Sequence, residues 1–138
     1  MTNPNDGLFD TNILIHWPRL RAEELPDRAA ISTVTIAELS AGVHATDDPA
    51  ERANRLELLQ RTESAWDPIP FDIAAARAYG RIAAGVAGIG RSVRSRVADQ
   101  MIAAIAASRG LRLYTTNPGD YAGLDALIEV IAVNRPAD

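Results

Sequence analysis

Short apolar, β-rich runs alternate with longer helical stretches along this chain, and that alternation restricts the fold more than any other feature. Gly7-Leu8-Phe9 leads into Asp10 as a brief buried strand. Residues 11–16 then open a helix that Pro18 interrupts, because proline lacks the N–H a helix interior needs. Residues 19–27 read as a polar helical segment or loop. Residues 30–34, Ala-Ile-Ser-Thr-Val, are rich in β-branched side chains and read as a second strand. Residues 35–45 read as a helix with Ile36, Leu39 and Val43 on one face. Asp48-Pro49 opens another, with Leu56, Leu58 and Leu59 as its apolar positions. Residues 65–70 predict a short strand held between prolines. Asp72 caps a helix running from Ile73 to about Val86, which Gly85, Gly88 and Gly90 end. Residues 91–96 form a basic loop, and 97–109 a helix with Gly110 at its C-terminus. Residues 111–115 predict a strand, Asn117-Pro118-Gly119-Asp120 a turn, and 130–133 the last strand. Such alternation implies an α/β fold with a mainly parallel sheet covered on both faces. Sites in these sheets form beyond the carboxyl ends of the strands.

Length and composition set the outer limits. The 138 residues match one domain, spanning 1–138, and 47% hydrophobic content is too high for a disordered chain. No run approaches the roughly 20 apolar residues of a membrane span. Met1-Thr2-Asn3-Pro4-Asn5-Asp6 lacks the basic and apolar regions of a signal peptide, so a cytoplasmic protein is expected. The absence of Cys excludes disulfides and thiolate zinc sites, and two isolated histidines, His16 and His44, do not make a histidine metal site. The net charge of -4 argues against non-specific nucleic-acid binding by a broad basic surface. All 14 basic residues are Arg. Genomic base composition accounts for that bias, yet any phosphate contact must then use the planar guanidinium.

Acidic residues recur at the expected carboxyl edge. Asp10 ends the first strand, Glu38 lies in the first turn of the helix after the second, and Asp99 near the start of the helix after the Arg loop. Asn117 and Asp120 follow the strand 111–115. Hard divalent cations take oxygen ligands, often one or two carboxylates completed by water. Converging carboxylates repel unless a cation neutralises them. A cation so held lowers the pKa of water and stabilises phosphoryl charge, which suffices for phosphodiester hydrolysis without a side-chain nucleophile.

Each residue also has a structural reading. Asp10-Thr11 suits an N-cap, and Thr35-Ile36-Ala37-Glu38 matches a capping box. Asp99 suits the positive end of a helix, and residues 117–120 suit a β-turn. Arg91, Arg94 and Arg96 read first as a solvated charge run, with phosphate contact by Arg94 or Arg96 as the functional alternative. His16 and Trp17 read as surface residues at a helix end. The recurrence of acids on one rim, rather than any single residue, favours a site.

Four motifs in order make the chain resemble the PIN-domain ribonucleases, and within them the VapC-type toxins of bacterial toxin–antitoxin pairs. They are Leu8-Phe9-Asp10-Thr11-Asn12-Ile13-Leu14-Ile15, Ile31-Ser32-Thr33-Val34-Thr35-Ile36-Ala37-Glu38-Leu39 with Gly42, Asp99-Gln100-Met101-Ile102-Ala103-Ala104 with Ala106, and Leu113-Tyr114-Thr115-Thr116-Asn117-Pro118-Gly119-Asp120-Tyr121. The resemblance covers nearly the whole chain. It implies a three-layer α/β/α sandwich. It implies that Asp10, Glu38 and Asp99 bind Mg²⁺ or Mn²⁺, with Thr11 and Thr115 as polar support. Many PIN domains carry a fourth acid where this chain has Asn117; Asn117 can orient water or ligate through its carbonyl, and Asp120 supplies nearby charge. The resemblance further implies cleavage of structured RNA such as tRNA or rRNA, homodimers, and a cognate antitoxin that wraps an apolar groove and blocks the acidic pocket.

The expected reaction is metal-assisted attack of water on the phosphodiester. Two rivals remain. An Asp-nucleophile phosphatase suits Asp10, but Asn12 stands where its second Asp belongs and there is no Lys. An inactive PIN-like binding module suits the same fold.

Overall fold

A computed structural model describes residues 6–136, and the fold is described for these alone. The stretch 1–5, read above as lacking a signal peptide, lies outside them. Four parallel strands, β1 (Asp6–Phe9), β2 (Arg28–Ala30), β3 (Arg112–Thr115) and β4 (Val130–Ala132), form one sheet in the order β2-β1-β3-β4. Five α-helices accompany it among the described residues: α1 (Thr11–Ile15), α2 (Thr33–Val43), α3 (Pro49–Ala65), α4 (Ile73–Gly88) and α5 (Val97–Arg109).

Strand periodicity builds the two covered faces. Successive strand residues point to opposite sides. Leu8 and Leu113, adjacent in register, face one way and bury against Ile82, Ile102 and Ile105 of α4 and α5. Phe9 and Tyr114, the next pair, face the other way and meet Ile13, Ile31 and Leu39. Trp17, Trp66 and Tyr114 ring Phe9 with centroids at 5.6, 5.9 and 6.2 Å. The sheet is therefore the middle of an α/β/α sandwich, as expected.

Several boundaries differ from the sequence reading. β2 occupies Arg28–Ala30 rather than 30–34: beyond Ala30 the chain leaves β1 and pairs with Ile69 instead, and α2 begins at Thr33. Ser32 caps that helix by accepting from the Thr35 N–H at 3.3 Å. Glu38 consequently falls in the second turn, and the Thr35–Glu38 capping box is not formed. Of the strand expected over 65–70, only one bridge between Ser32 and Ile69 is made. α4 runs through Gly85 to Gly88. Residues 19–27 hold a 3-10 turn at Ala22–Glu24, and the 117–120 turn continues as a 3-10 turn, Pro118–Tyr121. Asp48, Asp72 and Gly110 cap their helices as expected, Gly110 with φ 64°.

Candidate active site

Parallel topology decides which side chains meet. β1 and β3 are neighbours, so Asp10 and the segment 115–117 leave the sheet at the same edge. α2 follows β2 and so begins at that edge. α5 must descend to the opposite edge before β3 starts, which puts its first turn, with Asp99, at the carboxyl edge as well. The Pro118–Tyr121 turn adds Asp120 and Tyr121.

Asp10 is 3% exposed and fully engaged. Its Oδ1 accepts from the Thr11 N–H at 2.8 Å. Its Oδ2 accepts from Thr115 Oγ1 at 2.8 Å and from Asn12 Nδ2 at 3.1 Å. The Thr115 hydroxyl in turn accepts from the Asn117 N–H at 3.0 Å. Asn12 Oδ1 accepts from the Thr116 N–H at 3.2 Å, so this amide clips β1 to β3 beside the acid. Burial nevertheless raises the Asp10 carboxyl above its usual range; its hydrogen bonds oppose the shift and the charge of Asp120 adds to it.

Glu38 reaches the same place from α2. Thr11 Oγ1 donates to Glu38 Oε1 at 2.6 Å. That hydroxyl has one proton, so its 3.0 Å contact with Thr35 Oγ1 is donated by Thr35. Burial raises the Glu38 carboxyl, Thr11 lowers it, and Asp10 raises it again.

Asp99 is the most perturbed acid of the set. Burial first, then the charges of Asp10, Asp120 and Glu38, lift its carboxyl to about 7, against a weaker downward pull from Arg96. Arg96 Nη1 stands 3.2 Å from Asp120 Oδ1 and 3.8 Å from Asp99 Oδ2. Tyr121 is buried at 1% exposure, and its hydroxyl approaches Asp10 without meeting good hydrogen-bond geometry. Burial and the surrounding acids raise that phenol well above its usual range.

The cluster is thus electrostatically coupled but not drawn to one point. Among the described residues, no three His, Cys, Asp or Glu side chains stand close enough together to ligate one ion as placed. Glu38 and Asp99 instead lean on Thr11 and Arg96 respectively. The donor set itself is all oxygen and carboxylate-rich, which fits a hard divalent cation.

Residues 8–125 match the family model described as PIN domain. The chain belongs to the PIN-domain family. It is 39% identical over 137 residues to ribonuclease VapC5 of Mycobacterium tuberculosis, covering 96% of this chain and 98% of that relative. It is 33% identical over 121 residues to the tRNA(fMet)-specific endonuclease VapC of Shigella flexneri, covering 83% and 88%. Its fold superposes on the crystal structure of VapBC-5, a member of the VapBC family of toxin-antitoxin systems from Mycobacterium tuberculosis. The TM-score is 0.80 at 37% identity, over 96% of this chain and all of that one.

Within this PIN domain, Asp10, Thr11, Glu38, Asp99, Thr115 and Asp120 gather at one rim, as the sequence reading expected. Asn117 joins through its backbone N–H to Thr115. Arg96 reaches the acids, whereas Arg94 is an exposed loop residue whose backbone N–H bonds to Ser92 Oγ at 3.2 Å. Sequence reasoning assigns no site role to Asn12 or Tyr121, and reads Thr35 only as part of a capping box. Asn12 and Tyr121 lie inside the quoted motifs, but only the folded chain shows that they touch or approach Asp10.

Proposed function

We propose that this PIN-domain protein is a divalent-metal-dependent endoribonuclease and the toxin of a toxin–antitoxin pair. One observation carries the reading: Asp10, Glu38, Asp99 and Asp120 come from separate segments to one rim, and burial with mutual repulsion holds the first three above the ordinary carboxylate range. Mg²⁺ or Mn²⁺ suits that donor set. Asp10 and Asp99 are its main ligands in this reading, with Glu38 binding directly or through water and Asn117 as a further polar group. Such a cation, when bound, lowers the pKa of water and offsets charge on a phosphoryl oxygen.

The remaining work falls to the chain. Thr115 and Asn12 hold Asp10 in place, and Thr11 aims Glu38. Glu38 positions the attacking water. As the water oxygen bonds to phosphorus, the bond to O3′ breaks and that oxygen takes up a proton. The products are a 5′-phosphate and a 3′-hydroxyl. Arg94 or Arg96 contacts the RNA backbone in this reading.

The substrate class we infer is structured RNA, tRNA or rRNA; the Shigella flexneri relative, named as specific for tRNA(fMet), supports tRNA. The antitoxin partner rests on the likeness to the VapBC-5 toxin–antitoxin structure. An apolar groove of about 550 Å³ suits it: Leu14, Ile15, Leu39 and Leu58 line the groove, and Thr11 and Glu38 bring it up to the acids. A homodimer and a cytoplasmic location complete the reading. No helix among the described residues is long and apolar enough to cross a membrane.

Induced expression of the wild type and of Asp99→Asn, with mapping of new RNA 5′ ends, tests the proposal. Growth arrest with discrete 5′-phosphate cuts that the variant lacks is the expected result. A cyclic phosphate product would sink the water mechanism. Soluble wild type that neither arrests growth nor cuts RNA leaves the PIN-like binding module as the answer.

A further inference from the structure

Arg96 has the one positive φ among the described non-glycine residues, at φ 54°, ψ 45°. The left-handed conformation is disfavoured for an L-residue other than glycine, so the surroundings must impose it. Three tethers do. Gln100, 4% exposed, donates through Nε2 to the Ser95 carbonyl at 2.7 Å, while its Oε1 accepts from the Tyr79 hydroxyl at 3.1 Å. The Gln100 N–H donates to the Arg96 carbonyl at 3.2 Å, closing the first turn of α5. Arg91 Nη1 donates to the Gly119 carbonyl at 2.9 Å, fastening the basic loop to the turn that carries Asp120. The loop and the turn are thereby held in register, and Arg96 is delivered to the rim of the acidic cluster from a backbone that glycine would favour.

Its guanidinium is shared unequally. Arg96 lies 3.2 Å from Asp120 but 3.8 Å from Asp99, and its side chain stays 58% exposed. Asp120 therefore draws the cation to one side of the cluster, leaving only a long contact with Asp99, a metal ligand in the reading above.

We propose that Arg96 is a built-in counter-cation that competes with the divalent metal for Asp99, and that Asp120 is a positioning residue that holds Arg96 clear of it. The inference rests on the metal-site reading above. In the metal-free protein the guanidinium offsets part of the carboxylate repulsion. When a divalent ion takes the Asp99 oxygen, Arg96 keeps its Asp120 partner and gives up the longer contact. Asp120 acts through Arg96 and is not itself a ligand.

Mn²⁺ titration of the full chain by calorimetry, at pH 8, provides the test, with Arg96→Gln, Arg96→Lys, Asp120→Asn and the double variant Arg96→Gln/Asp120→Asn. Removing the competing charge should tighten Mn²⁺ binding roughly three- to tenfold, and Arg96→Lys should return it toward the wild-type value. Asp120→Asn should weaken binding, and by a larger factor when Arg96 is present than in the Arg96→Gln background, because only then is a cation released onto Asp99. Simple loss of a nearby negative charge would weaken binding equally in both backgrounds. Wild type that binds Mn²⁺ with an affinity Arg96→Gln leaves unchanged overturns the counter-cation role alone. Equal losses for Asp120→Asn in the two backgrounds overturn the positioning role. Wild type that binds no Mn²⁺ overturns the metal reading and this inference with it.

Discussion

The Thr11 hydroxyl donates to Glu38 Oε1 at 2.6 Å across 27 residues of sequence, and it accepts in turn from Thr35. The residue after the first strand thus aims an acid from the second turn of α2, and both threonines are buried. Thr11→Val keeps the shape and removes the donor. It leaves Thr35 without its acceptor, at a cost of about 1–2 kcal/mol in urea unfolding. It also pushes the Glu38 carboxyl higher still. If Glu38 serves the proposed metal site, RNA cleavage or Mn²⁺ affinity should fall by about 10- to 100-fold, the range for removing a residue that orients a metal ligand.

Asp99 makes the metal-free protein less stable as pH rises. Its carboxyl sits at about 7 in the fold and at 3.8 ordinarily. Between these values the folded chain holds a proton that the unfolded chain has released. The resulting stability is full below the lower value and is lost as pH climbs through about 7. Asp10 and Glu38, also raised, act in the same direction. In EDTA, the Tm of wild type should fall between about pH 5 and pH 8 more steeply than that of Asp99→Asn. The variant should be the more stable of the two at the upper end; parallel curves would refute the raised carboxyl.

On the proposed metal site, divalent cations should reverse that penalty. A ligand bound only by the folded state at a hundred times its Kd stabilises by about 2.7 kcal/mol. Saturating Mg²⁺ should therefore raise Tm near pH 8. The increment should shrink near pH 6, where protons compete for the same oxygens. Asp10→Asn and Asp99→Asn should each abolish most of it in a thermal melt.

Packing between β1 and β3 is tight enough to forbid a single methyl group. A Cβ at Gly7 would lie 2.5 Å from Tyr114 Cε1 and 3.1 Å from Pro26 Cγ. Gly7→Ala should cost about 1–3 kcal/mol in urea unfolding. Its activity per folded molecule should stay close to wild type, since no site side chain is removed.

Much of the architecture was legible because it is written at short range. Apolar runs of strand length, Asp48 and Asp72 as caps, and Gly110 after α5 depend on neighbours a few residues away. The errors fell where long-range partners override local preference. Residues 30–34 are good strand formers, yet Ser32 caps α2 with the Thr35 N–H, and the strand ends two residues earlier. Glu38 fits a capping box by spacing, but its carboxylate is taken by Thr11 instead.

The site divides in the same way. The sequence by itself determined which acids were available and, through strand and helix order, that Asp10, Glu38, Asp99 and Asp120 would leave the same edge of a parallel sheet. Only the tertiary structure decided how they are held. Asn12 bridges Asp10 and Thr116 across 104 residues, and Tyr121 is buried beside Asp10. Arg96 leans on Asp120 more closely than on Asp99. Topology follows from local periodicity, whereas desolvation, charge coupling and hydrogen-bond partners depend on distances that exist only once the chain has closed on itself.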